Sequence, residues 1–157
     1  PINLDVQQEL NKDIKARDFW MPFAPIILDK FVDKYIDNKN QTFSQYMTIS
    51  FPSTSAAEVD LKAALHASDN TCRAQILERE DNNYIYEVIE KFHKKTNRGG
   101  LLNTSFNLHG TPIVNNVEDA LYVFMNTSLN CLLLNSMLLI KDASLITSEK
   151  WLSLEDI

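Results

Sequence analysis

Apolar side chains recur at three-to-four spacing from Asn83 to Lys95, at Tyr84, Ile85, Val88, Ile89 and Phe92, which predicts an amphipathic helix. A second such helix runs from Val117 to Asn126 on Val117, Ala120, Leu121, Phe124 and Met125, with Asn116 as its N-cap and Asp119 three residues on. Weaker periodicity predicts a helix over Asp29 to Tyr35, and the opening segment Asp5 to Lys15 also reads as helical. Short apolar runs between them predict strands over Phe23 to Ile27, Tyr46 to Phe51, Arg73 to Glu78, Gly100 to Phe106, Cys131 to Leu134 and Met137 to Ile140. The last two flank Asn135-Ser136, a hairpin turn pair. Helices alternating with strands, plus a hairpin, predict an α/β (α+β) domain around a mixed sheet. The polar stretch Asp37 to Ser44, then Phe51 to Ala57, are the segments expected to be disordered.

The bulk numbers narrow the class. The chain has 157 residues, 45% of them hydrophobic, which suffices for one domain with a real core. A net charge of -6 excludes a global basic field, so a phosphate site must be a local island and nucleic acid is disfavoured as a partner. Cys72 and Cys131 are too few for a disulfide framework and lack metal-ligand spacing, so reduced thiols in a cytoplasmic protein are expected. No apolar run approaches the roughly 20 residues of a membrane span. The chain starts at Pro1 inside a helix-like pattern, and the expectation is one domain excised from a longer protein.

Three polar islands stand out. The first is "GGLLNTSFNLHG", residues 99 to 110. On a strand, Ser105 and Asn107 would face one way, with Asn103 continuing the row. A hydroxyl beside a carboxamide can bind a phosphate, a ribose or a carbonyl, or it can close a turn. The second is "NKDIKARDFWMPFAP", where Lys15 and Arg17 share the same spacing ahead of Pro22 and Pro25. Two aligned cations suit phosphate, and a solvated helix end would look the same. The third is "HASDNTCRAQ", in which His66, Ser68, Asp69, Asn70 and Thr71 form a turn that delivers Arg73 and Gln75 at strand spacing. Asp69 is of the kind that fixes a turn through its own backbone. Arg98 before Gly99-Gly100 reads as a helix stop. The islands supply cations, amides and hydroxyls but no trusted Ser–His–Asp ordering, zinc spacing or phosphate-cradling glycine loop. That set suits phosphoryl or acyl-phosphate chemistry, where positioning and charge neutralisation carry the reaction.

Taken in order, "LNKDIKARDFWMPFAPIIL", "HASDNTCRAQ", "GGLLNTSFNLHGTPIV" and "EDALYVF" resemble the C-terminal domain of the O-carbamoyltransferases that modify nodulation factors and antibiotics, the NodU/CmcH/TobZ group. The resemblance spans roughly residues 4 to 141. It implies a YrdC-like fold, a twisted mixed sheet flanked by helices. It also implies formation of carbamoyl adenylate from carbamoyl phosphate and ATP with Mg²⁺. An N-terminal domain of actin-like ATPase fold, absent from this chain, would hold an iron and pass the carbamoyl group to an acceptor hydroxyl.

By the same resemblance, Lys15 and Arg17 neutralise phosphate oxygens as pyrophosphate leaves, and Arg73 clamps carbamoyl phosphate or the α-phosphate. Ser105 and Asn107 bond the α-phosphate and ribose, Asn103 and Thr104 support the strand end, and Thr71 and His66 belong to the pocket. No protein metal cage is implied, the triphosphate itself holding Mg²⁺. Departures from the family pattern fall at Thr111, Asn97 and Ala74. Other readings are an RNA-binding module, an inert docking scaffold, or a hydrogenase-maturation carbamoyltransferase of the HypF kind. The assembly is left open, a homodimer included.

Overall fold

The computed structural model describes residues 1–14 and 22–142. In chain order these form α1 (Leu4–Glu9) with a π-helical turn over Leu10–Ile14, then β1 (Ala24–Leu28), then a 3-10 turn over Asp29–Phe31 running into α2 (Val32–Tyr35). Next come β2 (Phe51–Pro52), α3 (Ser55–Asp60), a 3-10 turn over Lys62–Ala64, β3 (Thr71–Cys72) and β4 (Gln75–Leu77). The chain continues through α4 (Asn83–Thr96), β5 (Gly100–Asn103), α5 (Val117–Met125), β6 (Cys131–Leu134) and β7 (Met137–Ile140). Of the described residues, 1–8 and 22–104 belong to one compact unit, and 9–14 and 105–142 to a second.

The first unit is built on a mixed sheet ordered β4-β1-β5, with β4 parallel and β5 antiparallel to β1. The central strand reads "APIIL" because both its faces are covered. Ile27, paired with Ile76, faces a core of Tyr35, Ile36, Phe51, Ala57, Leu61 and Leu65. Leu28 and Leu77 face the other way, against Tyr86 and Ile89 of α4. The antiparallel pair β2–β3 closes the first core. The mixed α/β expectation holds.

Two close approaches explain the glycine pair, of the Phe31 ring to Gly99 and of β1 to Gly100 in β5. A Cβ on Gly99 would lie 2.1 Å from the Phe31 ring, and one on Gly100 would lie 2.8 Å from the Ile26 carbonyl oxygen. The helix stop expected at these glycines is set two residues earlier. Asn97 adopts φ 59° and its N–H donates to the His93 carbonyl at 2.7 Å, so an asparagine takes the left-handed cap position.

α2, α3 and the α4–β5 junction are tied by one carboxylate. Asp60 Oδ2 accepts from Lys34 Nζ at 2.8 Å and from the Tyr35 hydroxyl at 3.0 Å, and Arg98 Nε approaches Oδ1 at 3.8 Å. The Tyr35 oxygen in turn accepts the Gly99 N–H at 2.9 Å. Burial acts to raise the Asp60 carboxyl, but hydrogen bonds from Lys34 and Tyr35 and the charges of Lys34 and Arg98 outweigh it and hold it below its ordinary value.

In the second unit, Asn116 caps α5 as expected, accepting from Asp119 N–H at 2.7 Å, while Asp119 Oδ2 accepts from Asn115 N–H at 3.1 Å. Asn116→Ala should cost about 1 kcal/mol, measurable as a lower chemical-denaturation midpoint. The hairpin β6–β7 turns at Asn135-Ser136, with Asn135 at φ 53°.

Four sequence expectations need correction. Tyr46 to Phe51 forms no continuous strand, because Met47 turns to φ 57° and only Phe51 and Pro52 enter a ladder. Asp37 to Ser44 is a closed loop: Asn38 Oδ1 accepts from Thr42 N–H at 2.8 Å, and Ser44 is buried. Phe51 to Ala57 is a strand followed by an N-capped helix, with Thr54 Oγ1 accepting from Ala57 N–H. The strand predicted over Gly100 to Phe106 ends at Asn103.

Candidate active site margin

The register brings one margin of the sheet into focus. β1 begins at Ala24 opposite Asn103, where β5 ends, and β4 begins at Gln75 opposite Ile26. Alternation places Ala24, Ile26, Gln75, Leu101 and Asn103 on one face. α4 covers the apolar end of that face, against Leu28 and Leu77. The other end carries an amide pair: Asn103 Nδ2 donates to Gln75 Oε1 at 2.7 Å, across β1, and lies 3.6 Å from Met47 Sδ.

Just ahead of β4, Arg73 sits in the two-residue link after β3. It is exposed, and its guanidinium makes no ion pair or hydrogen bond with the described residues. The preceding turn holds itself together. Asp69 Oδ1 accepts from both the N–H and the hydroxyl of Thr71, at 2.9 and 2.8 Å, and the backbone N–H of His66 donates to the Thr71 carbonyl at 2.7 Å. The backbone bond from Thr71, then its hydroxyl, lower the Asp69 carboxyl from its ordinary value. Thr71 is therefore committed to the turn.

His66 Nδ1 lies 2.9 Å from Ser68 Oγ and 3.2 Å from Asp69 Oδ1. A nucleophile–base relay needs hydroxyl and carboxylate on opposite ring nitrogens, so this cluster is not one. His66 does line a cavity of about 370 Å³, with Leu4, Gln7, Glu58, Lys62 and Asn70.

The row Asn103–Ser105–Asn107 is broken. Thr104, exposed, ends the first unit, and Ser105 and Asn107 belong to the second, outside any strand. They still meet: Ser105 Oγ donates to Asn107 Oδ1 at 2.6 Å. Asn107 Nδ2 donates to the carbonyls of Leu108 and Thr111, at 3.0 and 2.7 Å, which closes the His109-Gly110 turn. The turn-closing role weighed for this motif is real, and it leaves the hydroxyl–carboxamide pair intact.

Residues 1–141 match the family model for the carbamoyltransferase C-terminus. The chain belongs to that family. It is 33% identical over 147 residues to nodulation protein NolNO of Sinorhizobium fredii, covering 92% of this chain and 21% of that protein. It is 30% identical over 135 residues to nodulation protein NolO of Bradyrhizobium diazoefficiens, covering 86% and 25%. An uncharacterized protein of Methanocaldococcus jannaschii is 36% identical over 135 residues, covering 86% of this chain and 26% of that one. The chain thus spans about a quarter of the length of these relatives.

Of the positions the carbamoyltransferase resemblance singles out, Lys15 and Arg17 lie outside the described residues. His66, Thr71 and Arg73 come together in one loop and link, and Asn103 meets the third island through Gln75. Sequence reasoning left Tyr46 and Asp81 without a role, though both border a small cavity beside Gln75. Among the described residues no cluster of three or more His, Cys, Asp or Glu could hold a metal ion. No described helix is long and apolar enough to cross a membrane.

Proposed function

We propose that this chain is the adenylate-forming part of a larger O-carbamoyltransferase. In this reading, carbamoyl phosphate, ATP and one water give carbamoyl adenylate, phosphate and pyrophosphate. Water first cleaves the bond between the carbamoyl group and phosphate, giving carbamate and phosphate. A carbamate oxygen then attacks the α-phosphorus of ATP, and the bond to pyrophosphate breaks. The remainder of the larger protein then passes the carbamoyl group to an acceptor hydroxyl.

The observation that carries this reading is the uncommitted Arg73 at the margin where β4 starts and β5 ends. An exposed guanidinium with no partner among the described residues is available to a phosphate, and its planar fork matches two phosphate oxygens at once. Membership of the carbamoyltransferase C-terminus family supports carbamoyl transfer, and two of the relatives carry the name of nodulation proteins. By the family resemblance, Lys15 and Arg17 would neutralise the leaving pyrophosphate. Ser105 and Asn107 would hold the α-phosphate and ribose. The triphosphate itself would hold Mg²⁺, which would supply charge neutralisation.

The test is calorimetry and a pyrophosphate-release assay on this chain with ATP, Mg²⁺ and carbamoyl phosphate. Saturable ATP binding supports the reading, and pyrophosphate released only when carbamoyl phosphate is present supports it further. Absence of ATP binding, with and without carbamoyl phosphate, counts against it.

A further inference from the structure

The loop ahead of β2 is stitched to β4 on both sides of Gln75. β4 is an edge strand of its sheet, and the Ile76 N–H donates to the Ser44 carbonyl at 2.7 Å. The Ser44 hydroxyl, itself buried, donates to the Ala74 carbonyl at 2.8 Å. Two non-glycine residues of this loop, Gln41 and Met47, hold left-handed backbone at φ 49° and 57°. Backbone in that region is held only where the surroundings over-determine it, and such sites concentrate at ligand clamps. The result is Tyr46, anchored next to Gln75 yet 77% exposed.

Tyr46, Gln45, Gln75, Ile76, Leu77 and Asp81 line a cavity of about 210 Å³. That is below the roughly 300–1,000 Å³ of pockets for drug-sized ligands, so it suits one planar ring system and not a whole nucleotide. Its polar groups have defined roles. Gln75 Oε1 is occupied by Asn103, which leaves the Gln75 NH₂ as a donor committed to no described residue. Asp81 accepts from Gln45 Nε2 at 2.5 Å and from the Glu78 N–H at 3.1 Å, and a carboxylate has lone pairs to spare. The cavity thus offers an aromatic face, a donor and an anionic acceptor side by side.

We propose that Tyr46, Gln75 and Asp81 form the subsite for the heterocyclic base of the nucleotide, adenine in the reading above, on which this proposal rests. The Tyr46 ring stacks on the base, the Gln75 amide donates to a ring nitrogen, and Asp81 accepts from the exocyclic amine. The Asp81 charge repels phosphate, so the triphosphate runs away from it, towards Arg73 two residues ahead of Gln75 on the same strand approach.

Calorimetry of this chain with three probes, ATP, adenosine and inorganic tripolyphosphate, tests the assignment. Tyr46→Ala should weaken ATP and adenosine about 5- to 150-fold, the range for loss of one base stack, and leave tripolyphosphate unchanged. Gln75→Leu should act in the same direction, and Tyr46→Phe should restore the wild-type affinity. Arg73→Ala should do the reverse, weakening ATP and tripolyphosphate but not adenosine. Tyr46 is exposed, so its replacement leaves the core alone. Wild-type ATP affinity in Tyr46→Ala overturns the base subsite and leaves the nucleotide reading standing. A wild-type chain that binds none of the three probes overturns both.

Discussion

Arg73→Ala is expected to reduce ATP- and carbamoyl-phosphate-dependent pyrophosphate release roughly 30- to 5,000-fold. The figure follows from about 2–5 kcal/mol for removing one side of a desolvated charge pair. Arg73 carries no structural ion pair with the described residues, so the same variant should unfold at the wild-type denaturant midpoint. Arg73→Lys separates charge from shape: it keeps the cation and loses the planar fork, so it should recover only part of the activity. Steady-state rates of the two variants, measured beside their unfolding curves, check both statements. Full activity in Arg73→Ala would remove this side chain from the site.

Asp60→Ala is expected to destabilise the first unit by about 2–4 kcal/mol, read from chemical denaturation. The variant removes the acceptor of the fully buried Tyr35 hydroxyl and the counter-charge of Arg98 and Lys34, the last of which keeps its bond to the Asn97 carbonyl. Lys34 is a third exposed, which keeps the estimate below that for a wholly buried pair. The pH dependence follows from the direction of the shift. The Asp60 carboxyl is held below its ordinary value in the folded chain, so its contribution is complete above that value and disappears as pH falls through the folded-state pKa. At the alkaline end Lys34 is raised: burial opposes its charge, but the Asp60 and Tyr35 hydrogen bonds prevail. Its share is complete below the ordinary lysine value and is lost as pH rises through the raised one. Denaturation of Asp60→Asn across acid pH should therefore converge on the wild type. A gap that stays constant down to the most acid point would argue that Asp60 acts through packing alone.

Long, periodic segments were legible in the sequence. α4 and α5 appear within a residue or so of the expected bounds, and both N-caps are asparagines reaching the third residue of the helix. The β6–β7 hairpin also falls where the apolar runs placed it. Expectation failed where tertiary contacts override local pattern. "YMTISF" alternates well enough for a strand, but the loop is drawn to the edge of β4 by Ser44, and the left-handed Met47 breaks the alternation. The polar composition of Asp37 to Ser44 reads as disorder, yet its polar groups satisfy one another, which composition does not reveal. At the site, Ser105 with Asn107 stands out by residue type and Arg73 by the family resemblance, whereas the Gln75–Asn103 bond depends on β1 lying between β4 and β5. Asp69 was assigned its turn role from chemistry alone, and Thr71 proved to be its partner.

The two-point attachment of Ser44 has a bearing on how the chain tolerates insertion and deletion. A loop that only joins its ends absorbs an extra residue at small entropic expense. Here the strand's outward amide and carbonyl are both occupied by one serine, so lengthening or shortening the segment between Asn38 and Tyr46 would pull that serine off the strand and bare an unpaired edge. Indels are better accommodated around Asn135-Ser136, where among the described residues the turn is held by its own hairpin ladder.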